Sequence, residues 1–350
     1  MNILIGKIGQ KIIFNRGSKN CDRSNTNGNV GTYLLIRLLV ENSKDDTFFI
    51  ASDNDLSSFR TKPFDNVVDV SNMTWDYINT LNIDAMFFLT GLTQFETSNR
   101  LFDVINNVNA KLILLSDDPR CLDSVESDNR IKKYPECILS QFKGHYNFKN
   151  KIYNVIYVPI EKASCYRGEI CCNEKTIDMM IISNTSGKEY DRVKIISDII
   201  NGVENIDIYG RLSDDERKIL GINNCKGEIK YTEMQSTLSK AYSTFMVPIK
   251  KDWVTSKYVE ALMNGVLPIF HEDYNTSLLG FKDLIIVHDK EDFECALEYV
   301  RNNKDMVKEL TNEMIKLLIE PYIDGHILSD ILMCYAVLCK NRKDNENEYN

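Results

Sequence analysis

Short runs of consecutive apolar residues alternate with longer amphipathic stretches along most of the chain. Amphipathic segments such as Gly31–Val40 and Thr97–Asn107 lie between these runs. The runs are continuous rather than alternating, which is typical of strands covered on both faces. This alternation predicts parallel, doubly wound α/β sheets. In the first half, the predicted strands are Asn2–Ile5, Thr47–Ala51, Asn66–Val70, Ala85–Leu89, Lys111–Leu115, Cys137–Leu139 and Val155–Val158.

The same rhythm returns after a polar stretch at Glu161–Lys175. The predicted strands there are Met179–Ser183, Asn205–Tyr209, Thr244–Pro248, Val266–Phe270 and Leu284–Val287. We therefore predict two Rossmann-like domains that face a central cleft. The first comprises residues 1–160 and a returning C-terminal helix at 326–345, the second comprises 161–325, and 346–350 form a disordered tail. Ligands of such sheets bind at the carboxyl ends of the strands.

The composition is that of a globular protein in a reducing compartment. Of 350 residues, 43% are hydrophobic and 27% are charged, and no apolar run approaches the roughly 18 residues of a membrane span. The N-terminus is charged too early for a secretory signal, and the ten cysteines include no Cys-x-x-Cys pair. We expect buried thiols, a cytoplasmic location, no membrane partner and a monomer. No spacing of His, Cys or Asp predicts a metal site, although Mg²⁺ or Mn²⁺ stays open.

The net charge of −9 comes entirely from residues 161–350, because residues 1–160 carry equal numbers of basic and acidic side chains. An acidic chain is a poor general binder of nucleic acid, since phosphate neutralisation needs clustered Lys and Arg. The neutral first half leaves room for a local basic face. The charge therefore weakens a nucleic-acid hypothesis without excluding it.

The segment Ile181–Arg192 is the first candidate site, because it is predicted to run from a strand through a polar loop into a helix. Small residues and a helix start allow backbone N–H groups to approach an anion. Lys188 and Arg192 lie four apart and can pair with a diphosphate. The alternative, an ordinary capped helix, is favoured on the loop alone. The loop consists of Ser183, Asn184, Thr185, Ser186, Gly187 and Lys188.

A second candidate is Thr255–Phe270, which is predicted to form a capped helix, a glycine C-cap at Gly265 and a buried strand. Lys257 and Glu260 share the face near the helix start. A carboxylate there can accept both ribose hydroxyls, and the lysine can reach a phosphate. The alternative is a surface ion pair. Glu260 followed by Ala-Leu-x-x-Gly-x-x-Pro-Ile is similar to the donor-binding helix of GT-B glycosyltransferases.

The third candidate is Asp117, which follows the predicted strand Lys111–Leu115. A carboxylate at a strand end suits a general base that takes the proton of an acceptor hydroxyl. On the residues alone, Ser116-Asp-Asp-Pro119 is better explained as a strand-ending turn, with Asp118 as a structural neighbour.

Three stretches extend the resemblance to the DNA β-glucosyltransferases of T-even bacteriophages. They are Leu114–Arg120, then Ile181–Arg192 with Asp207–Arg211, and then Gly227–Phe270. The order and spacing of these stretches resemble that family over residues 110–345. The first 110 residues resemble it mainly in their alternation of predicted strands and helices.

This resemblance assigns a role to each matching position. It implies that Asp117 is the catalytic base, that Gly210 follows the strand after the phosphate loop, and that Ile229 meets the uracil through its backbone. Lys257 stands where the family has Arg, and Glu260 holds the ribose. Two positions depart from the family, because Thr185 and Glu189 stand where it places arginines on the phosphate loop.

These observations predict a glycosyltransferase that moves a hexose, glucose as first choice, from a UDP-sugar to a hydroxymethylated pyrimidine in double-stranded DNA. A phage-encoded chain would act in the host cytoplasm. One alternative is a nucleotide-sugar glycosyltransferase that acts on a protein, glycan or small molecule. A second is a non-catalytic module that binds a nucleotide or modified DNA.

Overall fold

The computed structural model describes residues 1–8, 30–52, 64–91, 97–171, 173–182, 191–204, 206–210, 212–229 and 231–348. The chain divides into two compact units. Unit 1 comprises Met1–Tyr166 and Asp324–Asn350, and unit 2 comprises Arg167–Ile323. No single described helix is long and apolar enough to cross a membrane, and Lys304–Tyr322 with His326–Arg342 meet that test only together, as a bent pair.

Unit 1 is built on a sheet whose strand order is β3-β2-β1-β4-β5-β6-β8-β7. All neighbouring strands are parallel except β7, which pairs antiparallel with β8. The strands are β1 (Asn2–Lys7), β2 (Thr47–Ala51), β3 (Val67–Asp69), β4 (Ala85–Leu89), β5 (Lys111–Ser116), β6 (Cys137–Ser140), β7 (Gly144–Phe148) and β8 (Lys151–Tyr157). The helices are α1 (Val30–Asn42), α2 (Trp75–Thr80), α3 (Asn99–Asn107), α4 (Pro119–Ser127) and α11 (His326–Glu348).

Continuous apolar runs form the central strands, as the sequence predicts. Every residue of β4 is buried, and so are the last five residues of β1. The helices begin at polar caps, because Thr74 and Ser98 accept hydrogen bonds from backbone N–H groups in the first turns of α2 and α3. A hydrophobic core cluster of unit 1 packs the side chains of α3 and α4 against the sheet.

Unit 2 is a smaller parallel sheet with the order β11-β10-β9-β12-β13-β14. Its strands are β9 (Ile177–Ile182), β10 (Asp207–Tyr209), β11 (Cys225–Gly227), β12 (Ala241–Met246), β13 (Leu267–His271) and β14 (Ile286–Val287). Its helices are α5 (Arg192–Ile200), α6 (Asp214–Leu220), α7 (Tyr231–Leu238), α8 (Lys257–Met263), α9 (Lys290–Asn302) and α10 (Lys304–Leu318).

The C-terminal helix α11 packs on unit 1, where it contacts α1, β4 and β5. Leu328, Leu332, Ala336 and Cys339 form its buried stripe at helical spacing. Lys340 forms an ion pair with Asp84 at 3.4 Å, and Arg342 forms another with Glu136. The tail expected to be disordered from residue 346 is helical to Glu348, because no Pro or Gly ends the helix.

Two further expectations need correction. The boundary predicted after residue 160 falls inside a 3-10 helix, Ile160–Cys165, which packs on α1, and the division lies at Tyr166 instead. The sequence predicts a wholly parallel first sheet, but this sheet contains an additional strand, β7, that pairs antiparallel with β8. Its residues are mostly exposed and include no apolar run, so only pairing with β8 makes it a strand.

Gly6 in β1 lies beside Phe88 in β4, and this contact leaves no room for a side chain. A Cβ at position 6 would stand 2.3 Å from Cε1 of the buried Phe88 ring. We expect Gly6→Ala to lower the free energy of unfolding by about 1–3 kcal/mol through overpacking. The measurement is urea unfolding of both single variants and of Gly6→Ala combined with Phe88→Leu. The double variant should lose less than the sum of the two single losses, because the smaller side chain makes room, and strict additivity would contradict this.

Candidate functional site

The carboxyl edge of the unit 1 sheet carries a row of polar residues, all of them buried except Asp117. Strands β1, β4, β5 and β6 are parallel neighbours, so their carboxyl ends lie at the same edge. The polar residues that end or follow these strands are Lys7, Thr90, Ser116, Asp117, Ser140 and Gln141.

Hydroxyl groups tie the ends of three strands together. Thr90 Oγ1 donates to Ser116 Oγ at 2.9 Å, and Ser140 Oγ donates to the Ser116 carbonyl at 2.6 Å. Ser116 Oγ in turn donates to the carbonyl of Asp118 at 3.0 Å, and Gln141 Nε2 donates to the carbonyl of Asp117. Because buried, satisfied polar networks are rigid, the backbone on both sides of Asp117 is fixed.

Asp117 directly follows β5 and is exposed as a whole residue, while its carboxyl group lies against neighbouring protein. Protein packed around the carboxyl raises its pKa above the ordinary value by removing solvent, which disfavours the charged form. The Lys7 ammonium opposes this rise, and the Asp118 carboxylate adds to it. A carboxyl with a raised pKa at the end of a strand is suited to take a proton from a hydroxyl.

Asp118 has a structural role. Its side chain caps α4 by accepting from the Arg120 N–H at 2.8 Å. The carboxylate also forms an ion pair with the Arg120 guanidinium at 2.6 Å. This carboxylate therefore holds the turn between β5 and α4, as expected for a structural neighbour of Asp117.

The sheet of unit 2 also gathers its candidate residues at one edge. Arg192 is the first residue of α5, after the cap Asp191, whose carboxylate accepts from the Lys194 N–H at 3.0 Å. The predicted loop residues Ser183, Asn184, Thr185, Ser186, Gly187 and Lys188 lie outside the described residues.

Gly210 and Ile229 follow the neighbouring strands β10 and β11. The Gly210 N–H donates to the carbonyl of Gly227 at 3.0 Å, which keeps the two chain segments paired beyond the strands. Ile229 lies two residues past the end of β11 and is half-buried. Because all strands of this sheet are parallel, both residues share the carboxyl edge with the start of α5.

At the start of α8, Lys257 Nζ and Glu260 Oε2 form an ion pair at 2.8 Å. The Glu260 side chain is 18% exposed and that of Lys257 is 44% exposed, so the carboxylate is the more enclosed partner. The Tyr274 hydroxyl donates to the carbonyl of Thr255 at 2.7 Å and accepts from its N–H at 2.8 Å, which fixes the entry to α8. Gly265, with φ of +62°, ends this helical segment.

Sequence reasoning missed two kinds of residue in these sites. Lys7 ends an apolar run, and a lysine there is usually solvated. Ser116, Ser140 and Tyr274 act through contacts between distant segments. The available signal was the repeated polar residue at the end of a buried strand. No group of three or more His, Cys, Asp or Glu within the described ranges is arranged to hold a metal ion.

Comparison of the whole chain with solved structures establishes the fold. The DNA-modifying enzyme β-glucosyltransferase, solved with and without uridine diphosphoglucose, matches with a TM-score of 0.60 and 14% identity over 98% of each chain. T4 phage β-glucosyltransferase in a second structure matches with 0.57, again at 14% identity and over 98% of each chain. A mutant O-GlcNAc transferase from Thermobaculum terrenum matches with 0.59 at 12% identity, over 99% of this chain and 69% of that one.

These neighbours are GT-B glycosyltransferases. At such low identities the likeness shows the fold alone, and that fold is GT-B, with one Rossmann-like sheet in each unit. No protein-family model and no curated protein sequence matches the chain.

Proposed function

We propose that this protein is a glycosyltransferase that moves a hexose, glucose as first choice, from a UDP-sugar to a hydroxymethylated pyrimidine in double-stranded DNA. The observation that carries the proposal is the place of Asp117, whose carboxyl has a raised pKa and follows a fixed strand end in a GT-B fold. Neighbours with that fold include a DNA-modifying β-glucosyltransferase solved with uridine diphosphoglucose, which supports both the donor and the acceptor class.

In the proposed reaction, Asp117 takes the proton of the acceptor hydroxyl while the oxygen of that hydroxyl attacks the anomeric carbon of the sugar. The bond from that carbon to the diphosphate oxygen breaks, and UDP leaves with the electron pair. Lys188, Arg192 and Lys257 neutralise the charge that develops on the diphosphate, which is electrostatic stabilisation of the transition state. Glu260 accepts the ribose hydroxyls and fixes the nucleotide. A target base inside a duplex must be turned out of the stack, which costs a few kcal/mol.

A second candidate acceptor is a protein, a glycan or a small molecule. The net charge of −9 favours it, because DNA binding has to overcome general repulsion. The O-GlcNAc transferase among the structural neighbours shares the same fold, so the fold does not choose between these acceptors. A non-catalytic binding module is the third candidate, since the arginine positions of the phosphate loop are Thr185 and Glu189 here.

The test is release of UDP from UDP-glucose in four parallel reactions. These contain hydroxymethylcytosine DNA, hydroxymethyluracil DNA, unmodified DNA or no DNA. The proposal predicts release only with a hydroxymethylated DNA, and the responding DNA names the base. Slow release that ignores DNA would keep a glycosyltransferase and refute the DNA acceptor. If UDP-glucose and a panel of other UDP-sugars all fail while UDP still binds, the binding-module alternative replaces the proposal.

A further inference from the structure

A groove with a volume of about 620 Å³ is lined by residues of α9, of α10 and of the segment that contains the edge strand β14. Its size is within the usual range of ligand-binding clefts. None of the candidate donor-binding residues of unit 2 lines it. Its occupancy can therefore be measured without any assay of sugar transfer.

The apolar surface of this groove continues along an exposed stripe of α10. Met306 and Leu310 line the groove, and Leu317 extends the stripe at helical spacing beyond it. Met306 is 54% exposed, Leu317 is 55% exposed, and Ile286 of β14 is 38% exposed. The stripe from Met306 to Leu317 spans about 16 Å at 1.5 Å per residue. Because α10 buries a different stripe, this one leaves contiguous apolar surface in water, which is typical of a binding surface.

The charged residues of the groove are acidic. Asp283 precedes β14, Asp292 lies in the first turn of α9, and Glu309 and Glu313 lie one turn apart on α10. None of the described residues that line the groove is basic. Within the part of the chain that the structure describes, neither glutamate forms an ion pair. Like charges four positions apart destabilise a helix, so cations supplied by a ligand would relieve this repulsion.

These charges decide which class of ligand fits the groove. Nucleic acid, nucleotides and anionic lipid surfaces carry charge of the same sign, so the groove repels them. The carboxylates are spread along the groove, since no three of them within the described ranges are arranged to hold one metal ion. A fitting ligand has several separate cations around an apolar body. An amphipathic helix has this form, because Lys and Arg residues flank its apolar stripe.

We propose that this groove binds an amphipathic helix of a partner protein. The apolar side of that helix packs on the exposed stripe of α10 and on Ile286, and its flanking Lys or Arg residues pair with Glu309 and Glu313. The length of the stripe favours a helix over a small organic cation, because a compact ligand inside the groove would leave Leu317 uncovered. Binding of an apolar helix face in a groove is a common mode of peptide recognition.

The test uses the full-length protein and a fluorescein-labelled peptide of about five helical turns, built from Leu and Lys so that Lys residues flank one apolar face. Fluorescence anisotropy measures its binding. A second peptide, with Glu in place of every Lys, is the control. The proposal predicts saturable binding of the Lys peptide and none of the Glu peptide. No binding of the Lys peptide, or equal binding of both, would overturn it.

The charge of the groove is tested by Glu309→Gln combined with Glu313→Gln. This double variant should bind the Lys peptide about 5–30-fold more weakly, because two ion pairs at the rim of the groove are lost. The matched control is Glu233→Gln combined with Glu298→Gln, which removes the same charge from exposed positions of unit 2 outside the groove. Its affinity should stay within about twofold of wild type. Equal losses in both double variants would show attraction by an acidic protein in general and would overturn the proposal.

The apolar contact is tested by Met306→Ser. This variant should bind the Lys peptide about 3–10-fold more weakly, because apolar surface on the stripe is lost. Ile219→Ser removes a comparably exposed apolar side chain, 58% exposed on α6, and should leave the affinity unchanged. An unchanged affinity in Met306→Ser, or an equal loss in Ile219→Ser, would contradict the proposal. All variants change exposed side chains, so urea unfolding should show that they fold.

Two cysteines report where the peptide binds. Cys295 lines the groove and is exposed, and Cys334 is exposed on α11 of unit 1. The Lys peptide should slow alkylation of Cys295 by iodoacetamide and leave that of Cys334 unchanged, as measured by mass spectrometry. Equal protection of both thiols would overturn the proposal. So would displacement of the peptide by an equal concentration of spermine, which would identify a small polyamine as the ligand.

Discussion

Asp117→Asn is expected to lower the rate of sugar transfer by about 10²–10⁴-fold, the usual contribution of a general base. The amide has almost the shape of the carboxylate but cannot take the acceptor proton. The hydrogen bonds that fix this strand end are made by the backbone of Asp117 and by Ser116, so they remain. The affinity for UDP should therefore stay within about twofold of wild type, since uniform binding is untouched. Steady-state kinetics and calorimetric titration with UDP measure the two quantities.

The adjacent carboxylate provides the control. Asp118→Asn keeps a good N-cap for α4 and loses the ion pair with Arg120, whose side chain is 46% exposed, together with a charge that raises the Asp117 pKa. Such exposed pairs contribute about 0–1 kcal/mol to stability, so this variant should fold and retain most of its transfer rate. Equal losses of transfer rate in the two variants would show that activity depends on the structure of the turn between β5 and α4, and not on Asp117 as a base. Full activity of Asp117→Asn would remove the residue from the chemistry altogether.

Glu260→Ala is expected to weaken the binding of UDP by about 10–100-fold, because one or two hydrogen bonds to a charged group are lost at about 1.5–3 kcal/mol each. The carboxylate is well placed for this role, since it is mostly enclosed and lies in the first turn of α8. Its partner Lys257 is more exposed, so loss of the ion pair between the two side chains lowers the free energy of unfolding only slightly. Calorimetric titration with UDP and with uridine gives the affinity and locates the loss on the nucleoside.

Two variants separate a ribose contact from a general electrostatic effect. Glu298→Ala removes an exposed carboxylate from α9 of the same unit and should leave the affinity for UDP unchanged. Lys257→Met should weaken UDP more than uridine, because the lysine is assigned to the diphosphate. If Glu260→Ala binds uridine as tightly as wild type does, the assignment to the ribose is wrong.

Much of the fold follows from local patterns in the sequence. The buried strand β4 is a continuous apolar run, and Ile3, Leu4 and Ile5 form the apolar run of β1. The hairpin strand β7 and the short strand β11 are not predicted from the sequence, because they have no apolar run. They are strands through their pairing with β8 and β10. The helix α6 begins with a capping box at Ser213 and Glu216, a local signal that is independent of apolar periodicity.

The candidate sites were less predictable than the fold. Asp117 stands out in the sequence only through its place after a strand and through the resemblance of its surroundings. The hydroxyls that fix it come from β4, β5 and β6, so their role emerges only when these strands are side by side. Lys7 is the clearest case, because nothing local distinguishes a lysine buried at a strand end from one that is solvated.

The most direct test of the central claim is mass spectrometry of the nucleosides from hydroxymethylated DNA that has been incubated with UDP-glucose and this protein. The account predicts a nucleoside carrying one hexose on its hydroxymethyl group with the wild-type protein, and almost none with Asp117→Asn. It also predicts no such product from unmodified DNA. Hexosylated nucleoside formed equally well by both proteins would contradict the role of Asp117. Unaltered DNA together with a hexose on a protein, glycan or small-molecule acceptor would contradict the DNA acceptor.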